Sequence, residues 1–549
     1  MSTMTGGEAA VAALEALGVD TVFGIVSVHN VPTLDAIERS SAIGFVSCRH
    51  EQGAVHAADG YARASGKLGV ALTSTGPGAA NAMGGLFEAN YASSPVLMIT
   101  GQVETSEYDR GRGTIHQAEE QLAMLRTVTK RAEHVATVGD IAPVILSIAI
   151  DMLSGRPGPG AVEIPIDLQY ARTMVPALSV SAVRRVGPPA EAVGAAVTLM
   201  ESASRPLIIA GGGVVLADAG AELTALAEKL RAPVATSIEG RGAISERHPL
   251  ALGANIDISV MDAAFAHADV VIAVGTRFQQ NTNVLKWLRF PGKLIHLDAD
   301  PTMIGRIHPV EIGLVGDARL GLSMLLEAVS ARPDDGNGWV EMCQQLRNEV
   351  VRASRRDVGA DMVAIMETIE TVLPPNSVVA KDATISSYLW ANRLLPVERP
   401  RTAIRPSSQA IGPGVPLGLG AAVATGQPTV VIQGDGGLML SIGELATAAQ
   451  YDLPLIVCVF NDRGYGMLRF IQDMAMDGRR VGVELATPDF EAVGAAFGIN
   501  AASVRSPSAF ADSFSRAVDT GGPWLLDIDL NAMTPMTLTP QSKPERESK

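Results

Sequence analysis

Two aspartates in the last third of the chain carry the strongest chemical signal. Asp435 lies in VVIQGDGG and Asp462 in LIVCVFNDRGYG, 27 positions apart, and each follows an apolar run that reads as a buried strand. Adjacent parallel strands bring both carboxylates to one edge of a sheet, where they repel unless a cation lies between them. Hard oxygen ligands of this kind favour magnesium or calcium. The bare glycines beside them, Gly434, Gly436 and Gly437, let backbone N–H groups approach phosphate oxygens closely. Taken singly, GDG and NDRG are also ordinary turns that cap helices; together, each after a strand, they are specific.

Other residues carry weaker signals. Glu51, in CRHEQGAVHAADGYARASGK, stands between the strand AIGFVS and an Ala-rich helix. An acid at a helix start is favoured by the dipole, and this competes with a functional reading. His29, in FGIVSVHN, follows a buried strand, and an unperturbed imidazole titrates at about pH 6.5, although a lone His is more often a hydrogen-bonded structural residue. The run Gly211-Gly212-Gly213 is a weak dinucleotide signal, because no GxGxxG follows and no ribose-binding acid is placed.

These residues need elements that hold them at strand ends. Residues 1–170 alternate helical and strand patterns: Val11, Leu14 and Leu17 share a helical face that Gly18 can end, and TVFGIV, AIGFVS, GVALT and PVLMIT read as buried strands. Residues 191–330 form a second α/β unit with strands at PLIIAG, ADVVIAVG and KLIHLD. A third spans 361–530 with strands at SVVAKD, TVVIQGD and LPLIVCVF. The pattern predicts an α/β protein of three consecutive parallel-sheet α/β domains, with ligands at the carboxyl ends of strands. The stretches 171–190 and 331–338 read as linkers and 531–549 as a flexible tail. Three units of similar length suggest duplication.

Composition narrows the function classes. With 549 residues, 47% hydrophobic and only 3 Cys, the chain is globular and is neither disordered nor a disulfide scaffold. Cys48, Cys343 and Cys458 form no CxxC, which points to a reducing compartment and a cytoplasmic address. A net charge of −15 without a Lys/Arg run longer than a pair argues against a nucleic-acid partner. No apolar run is long enough for a membrane span.

GDG followed some two dozen residues later by the Asn461-Asp462 pair resembles the thiamine diphosphate signature. The stretch RHEQGA, GYAR and TGPGA is similar to the pyrimidine-binding domain of the acetolactate synthase-like thiamine enzymes. The likeness extends through RPGPGAVEIPIDL, IHLDADPTMIG and ATPDFEAVGAAFG, and so covers nearly the whole chain. It implies a pyrimidine-binding, a central and a diphosphate-binding domain, in that order.

The resemblance also implies roles. Glu51 contacts the aminopyrimidine ring of the cofactor. In SSQAIGPGVPLGLGAAVA, Ile411 takes the place of the apolar wedge beneath the two rings, and the carbonyl of Gln409 accepts a hydrogen bond from the aminopyrimidine; an Ile in a core helix start is the plain alternative. Mg2+ would be held by Asp435, Asp462 and the carbonyl of Gly464. Gly434, Gly436, Gly437, Tyr465, Gly466 and Met467 fall in the same cofactor-binding segments. Arg463 or Arg469 would offset the added charge of Asp462. His29 and Gln117, the latter in GTIHQAEE, resemble positions near the reacting carbon and the substrate. Sites in this family lie between chains, which implies a homodimer or homotetramer.

The departures are equally specific. Where acetolactate synthases carry a Gly-Pro turn, an acidic pair with a following Arg, a Gln-His pair and a Trp, this chain reads GIVSVHN, Gln279-Gln280-Asn281, KDATISSYLW and Phe470-Ile471-Gln472. These weigh against acetolactate synthesis and against the FAD that such enzymes keep in the central domain. The expectation is decarboxylation of a 2-oxo acid or a related carbonyl substrate, ending in an aldehyde or a carboligation. The alternatives are a thiamine diphosphate lyase on an acyl-CoA or cyclic diketone and, from another class, a non-catalytic nucleotide-binding protein keeping the fold.

Overall fold

The computed structural model describes residues 2–180, 182–255, 261–279, 292–334 and 336–538. Three sheets of six parallel strands follow one another along the chain. The first contains Thr21–Gly24, Gly44–Ser47, Gly69–Thr73, Val96–Gln102, Arg131–His134 and Gly160–Pro165. Numbered in chain order within the sheet, these lie 2-1-3-4-6-5. The last sheet, built from Val378–Lys381, Ala403–Ile404, Thr429–Gly434, Leu455–Asn461, Asn500–Val504 and Trp524–Asp529, repeats that order. The central sheet, from Pro206–Ala210, Val234–Thr236, Ala251–Gly253, Val270–Val274, Lys293–Asp298 and Ile312–Val315, is arranged 3-2-1-4-5-6. The outer two sheets thus share one topology, while the central sheet has the order of a dinucleotide-binding fold.

The strands are apolar because helices cover both faces of each sheet. Every residue of Val96–Gln102 and of Leu455–Asn461 is buried. A single core joins the first and third domains: Ala54, Ala57, Ala58 and Leu86 pack in one cluster with Val415, Leu419, Val431 and Leu438. Its centre is the crossing of the helices Glu51–Ser65 and Gly414–Thr425. A Cβ on Gly60 would overlap the Leu417 carbonyl oxygen, and one on Gly420 the Ala57 carbonyl oxygen, so the two backbones touch directly.

Two stretches differ from the sequence reading. Within 171–190, Arg172–Val175 pairs antiparallel with Ser2–Thr5, and the helix Gly6–Ala16 starts only after that strand. Thr5 fixes this start through a capping box: its hydroxyl accepts from the Glu8 N–H (3.2 Å) and its own N–H donates to Glu8 Oε2 (2.7 Å). Gly18, with φ +74°, follows the helix end as expected. At the other end, the segment read as a tail is tied down at its beginning. Met533 is buried, Thr534 N–H donates to Asp361 (2.7 Å), and Thr537 N–H donates to the Asp357 carbonyl (2.7 Å). Residues 539–549 lie outside the described residues. The long helix Trp339–Val372, kinked at Gly359, leads from the central domain to the third.

The helix crossing generates a paired test. Gly420→Ala should destabilise the protein by about 1–3 kcal/mol through overpacking. Gly194→Ala, in the helix Ala190–Ser202 with open space around the added methyl, should stabilise by roughly 0.5–1 kcal/mol. Thermal unfolding of both variants checks this, and equal effects would show that the crossing is not in backbone contact.

Candidate active site

The strands Thr429–Gly434 and Leu455–Asn461 are neighbours in register, with Gly434 opposite Phe460, so Asp435 and Asp462 leave the same sheet edge one after the other. Asp435 opens the short helix Asp435–Met439. Its carboxylate is buried, and among the described residues neither oxygen has a partner in full hydrogen-bond geometry, although the Gly436 and Gly464 N–H groups face it closely enough to oppose the rise in its pKa. Burial first, and the charge of Asp462 second, push its pKa up to about 6. Burial also raises Asp462, against the pull of Arg469, whose guanidinium lies 3.4 Å from Asp462 Oδ2 and 2.9 Å from Glu484. The charge of Asp462 is thus offset by Arg469. Arg463 instead holds the turn, with φ +59° and its N–H on Asn461 Oδ1 (3.1 Å).

Small residues make room around this pair. A Cβ on Gly466 would overlap Asp462 Oδ2, and one on Gly436 would meet the Tyr465 ring. The loop is pinned by Tyr465 N–H to the Val483 carbonyl (2.9 Å) and Leu485 N–H to the Arg463 carbonyl (3.1 Å), and Gly464 is buried beneath it. Met467, half-buried, lies in the first turn of the helix Gly466–Ala475. No group of three His, Cys, Asp or Glu side chains able to hold a metal occurs among the described residues. A cation here would rest on two carboxylates and backbone oxygen.

Ile411 sits over Gly437, and its side chain keeps 38% of its surface exposed. Two residues earlier Gln409 has φ +63°, a conformation L-residues seldom adopt. One residue later the Gly412 N–H reaches both oxygens of Asp382 at 3.0 Å, and Asp382 also accepts from Gln433 Nε2 (2.6 Å). Burial pushes Asp382 up to about 6. The sequence reading missed Asp382; its signal was the strand end in SVVAKD, the same placement that exposed Asp435.

The first domain contributes a second group. Glu51 begins the helix Glu51–Ser65, and its Oε2 accepts from Asn81 Nδ2 (3.0 Å) on the helix Pro77–Ala92. The third domain holds the start of this helix, because Glu444 Oε1 accepts the N–H groups of Arg49 (3.0 Å) and His50 (3.1 Å). A Cβ on Gly78 would touch both Ser74 and Glu51. From Ser74 a polar chain runs to Ser27 (2.6 Å) and to His116 Nδ1 (3.5 Å). His29 is buried, its Nδ1 has no partner, and its ring lies 5.3 Å from that of His116. Burial, then the neighbouring imidazole, lower its pKa. Gln117 does not join this group: its Oε1 accepts from Gly113 (3.0 Å) and Thr114 (3.1 Å), and its Nε2 donates to the Glu107 carbonyl (3.3 Å), all within its own loop. The adjacent His116, passed over in the sequence, stays exposed but brings its ring to Ser74 and His29.

In the central domain, Gly211–Gly213 lies at the switch point between Pro206–Ala210 and Val270–Val274, against Gly275. A cavity of about 430 Å3 opens there, lined by Gly212, Gly213, Arg156, Arg277, Gln279 and Asp298. Glu239, just beyond the second strand, is held by Arg405 (2.8 Å) and Arg63 (3.0 Å). Gln280 and Asn281 lie outside the described residues.

Comparison with known proteins agrees with the order of the three domains. Residues 4–124 match the family model of the thiamine pyrophosphate enzyme N-terminal TPP binding domain, residues 193–325 the central domain, and residues 385–528 the C-terminal TPP binding domain. A probable acetolactate synthase large subunit of Methanococcus aeolicus is 32% identical over 98% of this chain and 94% of its own. A probable 2-ketoarginine decarboxylase AruI of Pseudomonas aeruginosa is 35% identical over 92% and 90%. The acetolactate synthase isozyme 3 large subunit of Escherichia coli is 32% identical over 94% and 93%.

The helix that begins at Glu51 also contains a pH-sensitive group. His56 is buried, and desolvation lowers its pKa to about 3. On acidification the unfolded chain takes up a proton near the ordinary value of about 6.5 while the native His56 stays neutral, so its contribution to stability falls from there down to about pH 3. His56→Gln should therefore lose less thermal stability than wild type between pH 7 and pH 4. Parallel acid limbs in the two proteins would refute this.

Proposed function

Since the chain belongs to the thiamine pyrophosphate enzymes of the acetolactate synthase-like kind, we propose that it decarboxylates a 2-oxo acid with the help of thiamine diphosphate and Mg2+. The product is an aldehyde or, after transfer to a second carbonyl, a hydroxyketone. The observation that carries this reading is the buried Asp435 carboxylate, set against the like charge of Asp462. Burial of a charged acid beside a like charge is costly, and a divalent cation held by the two carboxylates would remove that cost. A protein that had kept the fold without the chemistry would have no need of it.

The residues present fit the cofactor. Asp435, Asp462 and the Gly464 carbonyl would hold Mg2+, with Gly434, Gly436 and Gly437 offering backbone N–H groups to phosphate oxygens and Tyr465, Gly466 and Met467 closing that end. When bound, thiamine diphosphate supplies an acidic C–H, a carbon nucleophile and a sink for the electrons that carbon dioxide leaves behind. With the cofactor bound, Glu51, oriented by Asn81, would hold a proton at the aminopyrimidine nitrogen, Ile411 would pack against the rings, and the Gln409 carbonyl would accept from the exocyclic amine. His29, kept neutral by burial, stands beside His116 where it can accept a proton at the substrate end.

Names of relatives include both synthases and a decarboxylase. Decarboxylation is the preferred outcome, because this chain lacks the acidic pair and the tryptophan of acetolactate synthases. FAD is not assigned a role. The glycines of the central cavity suit a phosphate, but the acid nearest the ribose position, Glu239, is engaged by two arginines.

The working unit is a homodimer or homotetramer. Val26, Val28 and Ile115 on the first domain and Leu440, Leu468 and Ile471 on the third are exposed aliphatics near the two half-sites, as expected of surfaces that complete each other across chains. No helix among the described residues is long and apolar enough to cross a membrane. The three buried free thiols accord with a reducing cytoplasm.

Cofactors released from the purified protein should give thiamine diphosphate by mass spectrometry without FAD absorbance. Asp435→Ala should abolish retention of thiamine diphosphate with magnesium, and wild-type affinity in that variant would sink the assignment. Glu51→Gln should still bind the cofactor but slow exchange of its C2 proton by about 10²–10⁴-fold; unchanged exchange removes Glu51 from the mechanism.

A further inference from the structure

The Ile411 side chain is more than a third exposed, so packing alone does not fix it. Its position depends on the backbone of residues 405–412, and that backbone is clamped at two points. Asp382 of the same domain holds the Gly412 N–H. The other clamp comes from the first domain. Glu88, fully buried in the helix Pro77–Ala92, accepts the N–H of Ser407 on Oε1 (2.5 Å) and the N–H of Ser408 on Oε2 (3.0 Å), and the Ser408 hydroxyl also donates to it. One residue beyond lies Gln409 with φ +63°. A left-handed Gln persists only where its surroundings over-determine it, and Glu88 is the group that does so from the upstream side.

The clamp is itself braced. Arg63 Nη1 lies 3.6 Å from Glu88 and donates to the Arg405 carbonyl (2.7 Å). Its other nitrogen meets Glu239 of the central domain (3.0 Å), which also takes Arg405 Nε (2.8 Å). All three domains thus converge on the segment that ends in Ile411, and a buried, charge-assisted acceptor sits at the convergence. Glu88 is far too deep to serve as a surface ion pair. It does not approach Asp435 or Glu51 through any hydrogen bond among the described residues.

We infer that Glu88 is a positioning residue for catalysis: by capping Ser407 and Ser408 it sets the Gln409 carbonyl and the Ile411 wedge against the cofactor. This rests on the thiamine diphosphate reading above. Its removal leaves the diphosphate end untouched and loosens only the wedge, so binding and proton exchange should separate.

The test uses the full-length protein and the variants Glu88→Gln and Ser408→Ala. Amide hydrogen exchange is followed without cofactor, and affinity and C2-proton exchange are followed with thiamine diphosphate and magnesium. Glu88→Gln should speed amide exchange in 405–413 and slow C2-proton exchange, each by about tenfold or more, with cofactor affinity close to wild type and amide exchange of 435–440 unchanged. Ser408→Ala, which removes only the hydroxyl bond, should move both quantities in the same direction by less, and it decides the matter if Glu88→Gln does not fold. Unaltered protection of 405–413, or a loosened segment with wild-type C2 exchange, overturns the inference while leaving the cofactor assignment standing. A wild-type protein that takes up no thiamine diphosphate overturns both.

Discussion

The contact on which the rest of the structure depends is the crossing of Glu51–Ser65 and Gly414–Thr425. Glycines at Gly60 and Gly420 let the two helices meet backbone to backbone, and this closeness fuses the first and third domains into one core. Each long-range polar contact around the site exploits it. Glu444 of the third domain reaches the N–H groups that precede Glu51, and Glu88 of the first reaches those that precede Gln409. The domains therefore orient each other's functional residues, and neither half-site is the property of one sheet alone.

Charge inside the protein is organised around the same seam. Arg63, Asp59, Glu88, Glu239 and Arg405 form a mixed cluster at the meeting point of three domains. Burial raises Asp59 to about 6, although Arg63 opposes the shift. Paired buried charges of this kind contribute little net stability but penalise any arrangement that separates them, which suits a seam that must keep one geometry. Asp435 is different: it is buried beside a like charge, and no ion pair forms on it among the described residues.

What the sequence made legible was whatever depends on local pattern. The apolar runs located strands, and glycine beside aspartate at a strand end located Asp435 and Asp462, because a parallel sheet puts all its strand ends on one edge. Residues acting across the seam were not legible. Glu88 and Ser407 are 319 positions apart and Glu444 and Arg49 are 395 apart, and nothing in the local context of either acid foretells a backbone partner. Loop side chains were equally hard to read: Gln117 and His116 are neighbours, but a positive φ at His116 sends their side chains to different partners. The strand pattern of the linker 171–190 was hidden because its partner is the chain's first residues.

The shared core of the outer domains also constrains the order of events during synthesis. The first domain emerges with the Gly60 face of its helix uncovered, and the helix that must cover it is made only after the whole central domain. During that interval an apolar, glycine-bearing groove stands open in a nascent chain, where it can recruit a chaperone or a neighbouring polypeptide. The central domain buries a core of its own, so its packing does not wait for that groove to close.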